Sequence, residues 1–104
     1  MSQRKSNLSE VNHAINELCD KLKLTPFVRE KCLEMSSKLE KKGGAGLTGS
    51  PIKAVACSIV SIVHEEARGN GRVSMHLSDK IIGEVFGLDT ADIIRSKHIM
   101  HSRM

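Results

Sequence analysis

The histidines and acidic residues of this chain are the first side chains to test for catalysis or metal binding. His64 is followed by Glu65 and Glu66, but no second histidine follows at the four-residue spacing that a helical zinc-protease motif requires. His98 and His101 can share one helix face, yet no third ligand accompanies them, and surface histidines are the simpler interpretation. No nucleophile stands beside a general base. We therefore predict that the chain is not an enzyme and needs no metal or cofactor.

The cysteines favour a reducing compartment. Cys19, Cys32 and Cys57 are odd in number, lack the spacing of a zinc site, and each falls on an apolar stripe, which indicates core thiols. Reduced thiols are typical of the cytosol and the nucleus. The apolar run over 52–63 is too short to span a bilayer, and no apolar segment follows the charged N-terminus. These features predict a soluble intracellular protein, nuclear in a eukaryote and otherwise cytoplasmic, with no membrane partner and no small-molecule substrate.

The basic side chains form a second group of candidate functional residues. The 104-residue chain has 16 Lys and Arg against 12 Asp and Glu, a net charge of +4 that suits an anionic partner. Near the C-terminus Arg95, Lys97 and Arg103 follow the last acidic residue, Asp92. We predict that these three cations and Lys53 contact DNA phosphates. The alternative is a solvated basic helix end, where positive charge also suits the helix dipole.

A further basic cluster surrounds a glycine-rich loop that is predicted over residues 41–49. It contains Lys38, Lys41 and Lys42, with Lys53 on the far side of the loop. These lysines could meet DNA or the acidic surface of a partner protein. The alternative is that they only keep the loop in solution.

Apolar spacing predicts three helices before residue 70. Apolar residues at spacings of three and four from Val11 to Leu22 indicate the first helix. Thr25 can cap the second helix, and Pro26 suits its first position. The third should run from Ser50-Pro51 to about residue 67 and is apolar nearly all round, so other helices must enclose it. A buried strand is the alternative for this segment, but its length and small residues favour a helix.

Two shorter helices are predicted after an Arg68-Gly-Asn-Gly-Arg72 break. The first opens at Ser78 and stops at Gly87, with Asp89 or Thr90 capping the last helix. Its expected core face consists of Ile81, Ile82, Val85 and Phe86. Two helices joined by a short glycine-containing turn suggest a helix-turn-helix pair. We therefore predict an all-α fold, with a polar flexible lead-in over 1–8 and a single domain over 9–104.

Two segments resemble one known family. Gly49-Ser-Pro-Ile-Lys-Ala-Val-Ala-Cys-Ser-Ile-Val60 resembles the central helix of the cyclin-like repeat of transcription factor IIB, which begins Gly-x-Ser-Pro and continues with small residues. Ser78-Asp-Lys-Ile-Ile-Gly-Glu-Val-Phe-Gly-Leu88 is similar, without a gap, to the fourth helix and turn of that repeat. The similarity covers about residues 11–100, and the Ser-Pro start is nearer the second repeat of the family.

The resemblance implies a five-helix cyclin-like bundle around a central buried helix, ending in a helix-turn-helix-like pair. It also implies a binding role, in which the repeat docks on TATA-binding protein and promoter DNA, with a neighbouring cyclin-like repeat as a possible further partner. The last helix departs from the family, which favours Thr-Ile-Arg followed by Tyr where this chain has Asp92, Ile93, Ile94 and Lys97. This departure leaves open a rival function, a cyclin-type adaptor that binds a kinase or another regulator without contacting DNA.

Overall fold

The computed structural model describes residues 8–42 and 51–103, without the side chain of Arg103. Five α-helices and no strand occur in these ranges: α1 (Leu8–Lys21), α2 (Pro26–Lys41), α3 (Ile52–Gly69), α4 (Asp79–Glu84) and α5 (Thr90–Arg103). The predicted all-α class is confirmed. The Ser50 cap, residues 43–49 of the predicted loop and residues 1–7 of the predicted lead-in lie outside the described residues. Lys41, which was predicted in the loop, ends α2, and Leu8, which was predicted in the lead-in, begins α1. Within them, no helix combines the length and the apolar character needed to cross a bilayer.

The connection between α1 and α2 is a tight helix-ending turn. Lys23 has a φ of 53°, in the left-handed region, and the Leu24 N–H donates to the Cys19 carbonyl at 2.9 Å. This pattern satisfies a carbonyl that the end of α1 would otherwise leave open. The Thr25 hydroxyl then accepts from the Val28 N–H at 3.3 Å, which makes it the cap of α2, as predicted.

Helix α3 lies at the centre of the bundle. Residues 54–61 are all buried, and α3 packs against each of the other four helices. Pro51, with φ −58° and ψ 149°, precedes the helix rather than forming its first turn, although its carbonyl accepts from the Val55 N–H at 3.0 Å. The burial confirms that this segment is an enclosed helix and excludes the strand alternative.

Helix α4 is short, and one of its expected core residues is not in the core. The Ser78 hydroxyl accepts from the Ile81 N–H at 3.3 Å and caps the helix as predicted. Ile82 is fully buried, and Val85 and Phe86 pack partly buried against the core. Ile81, however, is 46% exposed, so its assignment to the core face was wrong. Adjacent helical residues project about 100° apart, and a helix that buries Ile82 against its neighbours turns Ile81 outward.

Two glycines fix the turn between α4 and α5. A Cβ atom at Gly83 would lie 2.8 Å from Cδ1 of Ile93 and 2.9 Å from the Leu88 carbonyl oxygen, so only glycine fits this close approach. The Leu88 N–H donates to the Gly83 carbonyl at 2.9 Å. Gly87, which lies between Gly83 and Leu88 in the sequence, has a φ of 68°, a conformation that disfavours a side chain.

Gly83→Ala is expected to lower the free energy of unfolding by about 1–3 kcal/mol, because α4 and α5 must separate to admit the methyl group. Urea denaturation followed by circular dichroism measures this loss. The matched control is Gly69→Ala, in the last turn of α3, where a Cβ would have no heavy atom within 4 Å. The control should match the wild type or slightly exceed its stability. Equal stability of Gly83→Ala and wild type would contradict the close packing.

Candidate functional site

The outward side of α5 carries Arg95, an exposed member of the predicted DNA-contacting residues. We call this surface the α5 outer face; it consists of Ile94, Arg95, His98, His101 and Ser102, all exposed. The Arg95 guanidinium donates to the Asp92 carboxylate at 2.7 Å, and 68% of the Arg95 side chain remains exposed. An exposed ion pair of this kind contributes little to stability. Arg95 can therefore exchange Asp92 for an anion on a partner.

Lys97 is on the same helix but is not part of this face. Its Nζ lies 3.2 Å from Oδ2 of Asp79 and 3.8 Å from Oε2 of Glu65, and only 19% of the side chain is exposed. The Asp79 carboxylate also accepts a hydrogen bond from the Ser61 hydroxyl. Lys97 thus joins α5 to α3 and α4, and its predicted phosphate contact stays a prediction that competes with these internal partners.

Lys53 lies beside the turn of the α4–α5 pair. It is exposed in the first turn of α3, and its Nζ lies 5.1 Å from the centre of the Phe86 ring. Such a cation–π contact leaves the ammonium free to interact with an anion as well. The structure therefore places the Lys53 ammonium next to the turn that precedes α5.

The remaining predicted basic residues lie at the end of α2 and at the end of α5. Lys38 and Lys41 are exposed in the last turn of α2, and Lys42, also exposed, is its C-cap. Arg103 is the final residue of α5, and its side chain lies outside the described atoms. Lys38 lines the same groove as His101 of the α5 outer face, so the basic end of α2 lies across this groove from the end of α5.

A cavity beside a buried histidine was not anticipated from the sequence. We call it the His64 cavity; it has a volume of about 310 Å³ and lies where the α1–α2 turn meets the segment after α3. His64 is only 3% exposed, and burial, followed by the nearby His76 and Arg68, lowers the pKa of its imidazole. Lys23 and Arg72 also line the cavity. These residues come together only through tertiary packing, and no local spacing connects them.

A larger groove of about 740 Å³ runs between α2, α3 and the end of α5. Phe27 lies in this groove with two cations over its ring, Lys31 at 5.7 Å and Arg72 at 4.8 Å from the ring centre. Glu34 and Glu66 also line it, and Glu34 pairs with Lys31 at 3.6 Å. The groove thus has both signs of charge on its walls.

The three cysteines lie in the core. Cys19, Cys32 and Cys57 are free and buried, as predicted. Burial, followed by the nearby Asp79, raises the pKa of Cys57 to about 12. The hydrogen bond that the Cys32 thiol donates to Cys19, together with burial, holds the pKa of Cys32 far above its usual range and lowers the pKa of Cys19. Cys32 and Cys57 are therefore poor nucleophiles at neutral pH. In the part of the chain that the structure describes, no three His, Cys, Asp or Glu side chains lie close enough to hold a metal ion.

Comparison of the chain with protein-family models, with curated proteins and with solved structures finds no match. Function must therefore be inferred from the residues of the chain and from their arrangement. Among the described residues, the α5 outer face with Lys53, the α2 lysines, the groove beside Phe27 and the His64 cavity all offer chemistry for a partner.

Lys97→Met is expected to lower the free energy of unfolding by about 1–3 kcal/mol, because it leaves the largely buried Asp79 carboxylate without its cation. The double variant Asp79→Asn/Lys97→Met should recover part of this loss, since no charge is then unpaired. Arg95→Ala, which removes an exposed ion pair, should change stability by less than about 1 kcal/mol. Urea denaturation of the three variants tests this; a Lys97→Met loss no larger than that of Arg95→Ala would contradict the internal role.

The lowered pKa of His64 predicts how stability depends on pH. The folded protein favours the neutral imidazole, so on acidification the unfolded chain takes up the proton first, below its ordinary pKa of 6.5. The contribution of His64 is therefore constant above that pH and falls below it, by at most about 1.4 kcal/mol per pH unit. Urea unfolding at about pH 7.5 and about pH 5.5 should show a larger loss in the wild type than in His64→Gln. Equal losses of stability in the wild type and in His64→Gln would show that the pKa of His64 is the same in the folded and the unfolded chain.

Proposed function

We propose that this chain is a binding module of the transcription factor IIB type, a single cyclin-like repeat that docks on TATA-binding protein and on promoter DNA. The observation that carries the proposal is the α4–α5 pair, with its glycine-fixed turn, an exposed arginine on α5 and Lys53 beside the turn. In this proposal the module brings two macromolecules together and catalyses no reaction. Its site of action is the nucleus of a eukaryote, or otherwise the cytoplasm.

The helix arrangement supports the cyclin-like part of the proposal. A cyclin-like repeat consists of helices around one central helix, and here α3 is enclosed by the other four. The segment that resembles the central helix of the family extends into α3, and the segment that resembles the fourth helix and turn contains α4. Gly83 and Gly87, which both belong to the second segment, are the residues that the close approach and the left-handed turn require.

The distribution of charge supports contact with DNA. Arg95 and Lys53 are exposed, and neither is neutralised by a buried carboxylate. No acidic residue follows Asp92 in α5, so the outer face carries no negative charge beyond the first turn. Contacts with phosphates position a protein on the duplex without selecting a sequence. Ile94, 54% exposed on the same face, can pack against an apolar base edge such as a thymine methyl group.

One observation favours the second candidate, a cyclin-type adaptor that binds a regulator without DNA. Ile81 on α4 and Ile94 on α5 are large apolar side chains exposed by about half of their surface. Exposed apolar side chains close to a basic rim are also what a protein partner requires. In the first proposal the same residues contact TATA-binding protein or DNA; in the second they bind the regulator.

Fluorescence anisotropy of a labelled promoter duplex, with and without TATA-binding protein, distinguishes the two candidates. The wild type should bind the duplex with an affinity that falls as KCl rises from about 50 to about 200 mM. Arg95→Ala and Lys53→Ala should each weaken binding and lower the slope of log affinity against log salt by about 0.9, because each removes one phosphate contact. Lys97→Met should leave the slope unchanged.

The matched control is Lys21→Ala, which removes an exposed lysine from the end of α1 and should bind like the wild type. Binding that does not depend on Arg95 or Lys53 would contradict the α5 surface. Failure to bind DNA at low salt, together with failure to join TATA-binding protein on the duplex, would contradict the first candidate and leave the adaptor.

A further inference from the structure

The His64 cavity is lined by positive charge and by no acidic residue. Lys23 and Arg72 lie on its walls together with the hydroxyl-bearing Thr25 and Ser74. Neither cation forms an ion pair with a described carboxylate; Arg72 contacts the Phe27 ring, and Lys23 has no ion pair or hydrogen bond through its ammonium in the described ranges. Both side chains are exposed, and the Arg72 guanidinium lies over the Phe27 ring of the larger groove, so Arg72 borders both spaces and Lys23 borders the His64 cavity.

His64 is a polar side chain with no hydrogen bond in this space. Only 3% of its surface is exposed, it lines the cavity, and its ring forms no hydrogen bond with a described residue. Among the described residues, the fully buried polar atoms without a partner belong to Asn12, Ser36 and Ser96, so the ring nitrogens of His64 stay accessible to water or to a ligand. The lowered pKa of His64 means that the ring is neutral at physiological pH and offers one N–H donor to a ligand.

The start of α2 adds positive potential to the same space. Thr25, the cap of α2, and Val28 both line the cavity, and the first turn of this 16-residue helix contains no acidic residue. The N-terminus of a helix carries a partial positive charge. The Thr25 hydroxyl accepts from Val28 N–H at 3.3 Å and keeps its own proton available for donation.

Both cations are positioned by helix-ending turns. Lys23 has a φ of 53°, a left-handed conformation that costs a lysine about 1 kcal/mol relative to glycine. The chain therefore has a lysine at a position where glycine would be less strained. Arg72 follows Gly71, and its N–H donates to the Ala67 carbonyl at 2.8 Å at the end of α3. The backbone that bears each cation is thus fixed before a ligand arrives, which reduces the entropy that binding must offset.

From this geometry we infer that the His64 cavity binds a small phosphate monoester, with the phosphate between Lys23, Arg72 and His64. Besides Thr25 and Ser74, the wall has four apolar side chains that can contact a small organic group: Leu24, Val28, Val73 and Met75. A volume of about 310 Å³ suits a ligand of this size. No residue of α5 lines the cavity, so the site is independent of the proposed DNA surface.

Titration of the ¹⁵N-labelled protein with inorganic phosphate and with phenyl phosphate, at constant ionic strength, tests the inference. Amide shifts should saturate at residues 23–25 and 72–75, and phenyl phosphate should bind more tightly than inorganic phosphate because it also meets the apolar wall. Arg72→Ala and Lys23→Gly should each weaken binding at least about tenfold. Lys23→Gly is the sharper variant, because glycine suits the left-handed backbone and the protein should stay folded while losing the cation.

The control is Arg95→Ala, which should keep full phosphate affinity while weakening DNA binding. Shifts that rise without saturation, or equal affinity in the wild type, Lys23→Gly and Arg72→Ala, would overturn the inference. Loss of DNA affinity in Lys23→Gly or Arg72→Ala would also overturn it, since the cavity would then hold a nucleic-acid phosphate. Because the cavity and α5 variants are measured against both ligands, failure of this site and failure of the proposed DNA surface give different results.

Discussion

The burial of α3 on all sides is the constraint on which the rest of this molecule depends. All eight residues from 54 to 61 are buried, which is more than two full helical turns, so no direction around the axis can face solvent. A helix of this kind is stable only if other helices cover every side of it. The small residues Ala54, Ala56 and Cys57, all fully buried, allow these neighbours to approach closely.

The few polar atoms of α3 then determine where α4 and α5 lie. The Ser58 hydroxyl is 2.7 Å from the Ala54 carbonyl and 3.2 Å from the Ile93 carbonyl of α5, so it can donate to either. Ser61 donates to Asp79 at the start of α4, and Asp79 in turn binds Lys97 of α5. Because a buried polar group without a partner costs free energy, these contacts favour one orientation of the α4–α5 pair. The direction of the α5 outer face follows from the interior of the bundle.

Local patterns predicted the helices well, and tertiary partners could not be predicted in the same way. Thr25 and Ser78 were identified as caps because a cap bonds to an amide three residues away in the sequence. Lys97 looked like a free surface cation because its partner Asp79 lies 18 residues away and on another helix. Ile81 was misassigned because a helix of six residues is too short for apolar periodicity to separate its two sides.

The same limit hid the His64 cavity. The cavity is formed by a turn between two helices and by the segment after a third, and its cations are 49 positions apart (from 23 to 72). A left-handed lysine also gives no signature in sequence, since the usual residue for that conformation is glycine. Only backbone geometry reveals it.

The two sets of cations differ in the shape of the surface on which they lie. Arg95 and Lys53 are exposed, so water and salt screen their charges, and each already has a weak partner that it can release. Such residues suit a long polyanion, which gains affinity from several weak contacts that rearrange as the partner moves. Lys23 and Arg72 are exposed as well, but both border one concave space beside the buried His64 imidazole. A concave arrangement of this kind suits one small anion rather than a long polyanion.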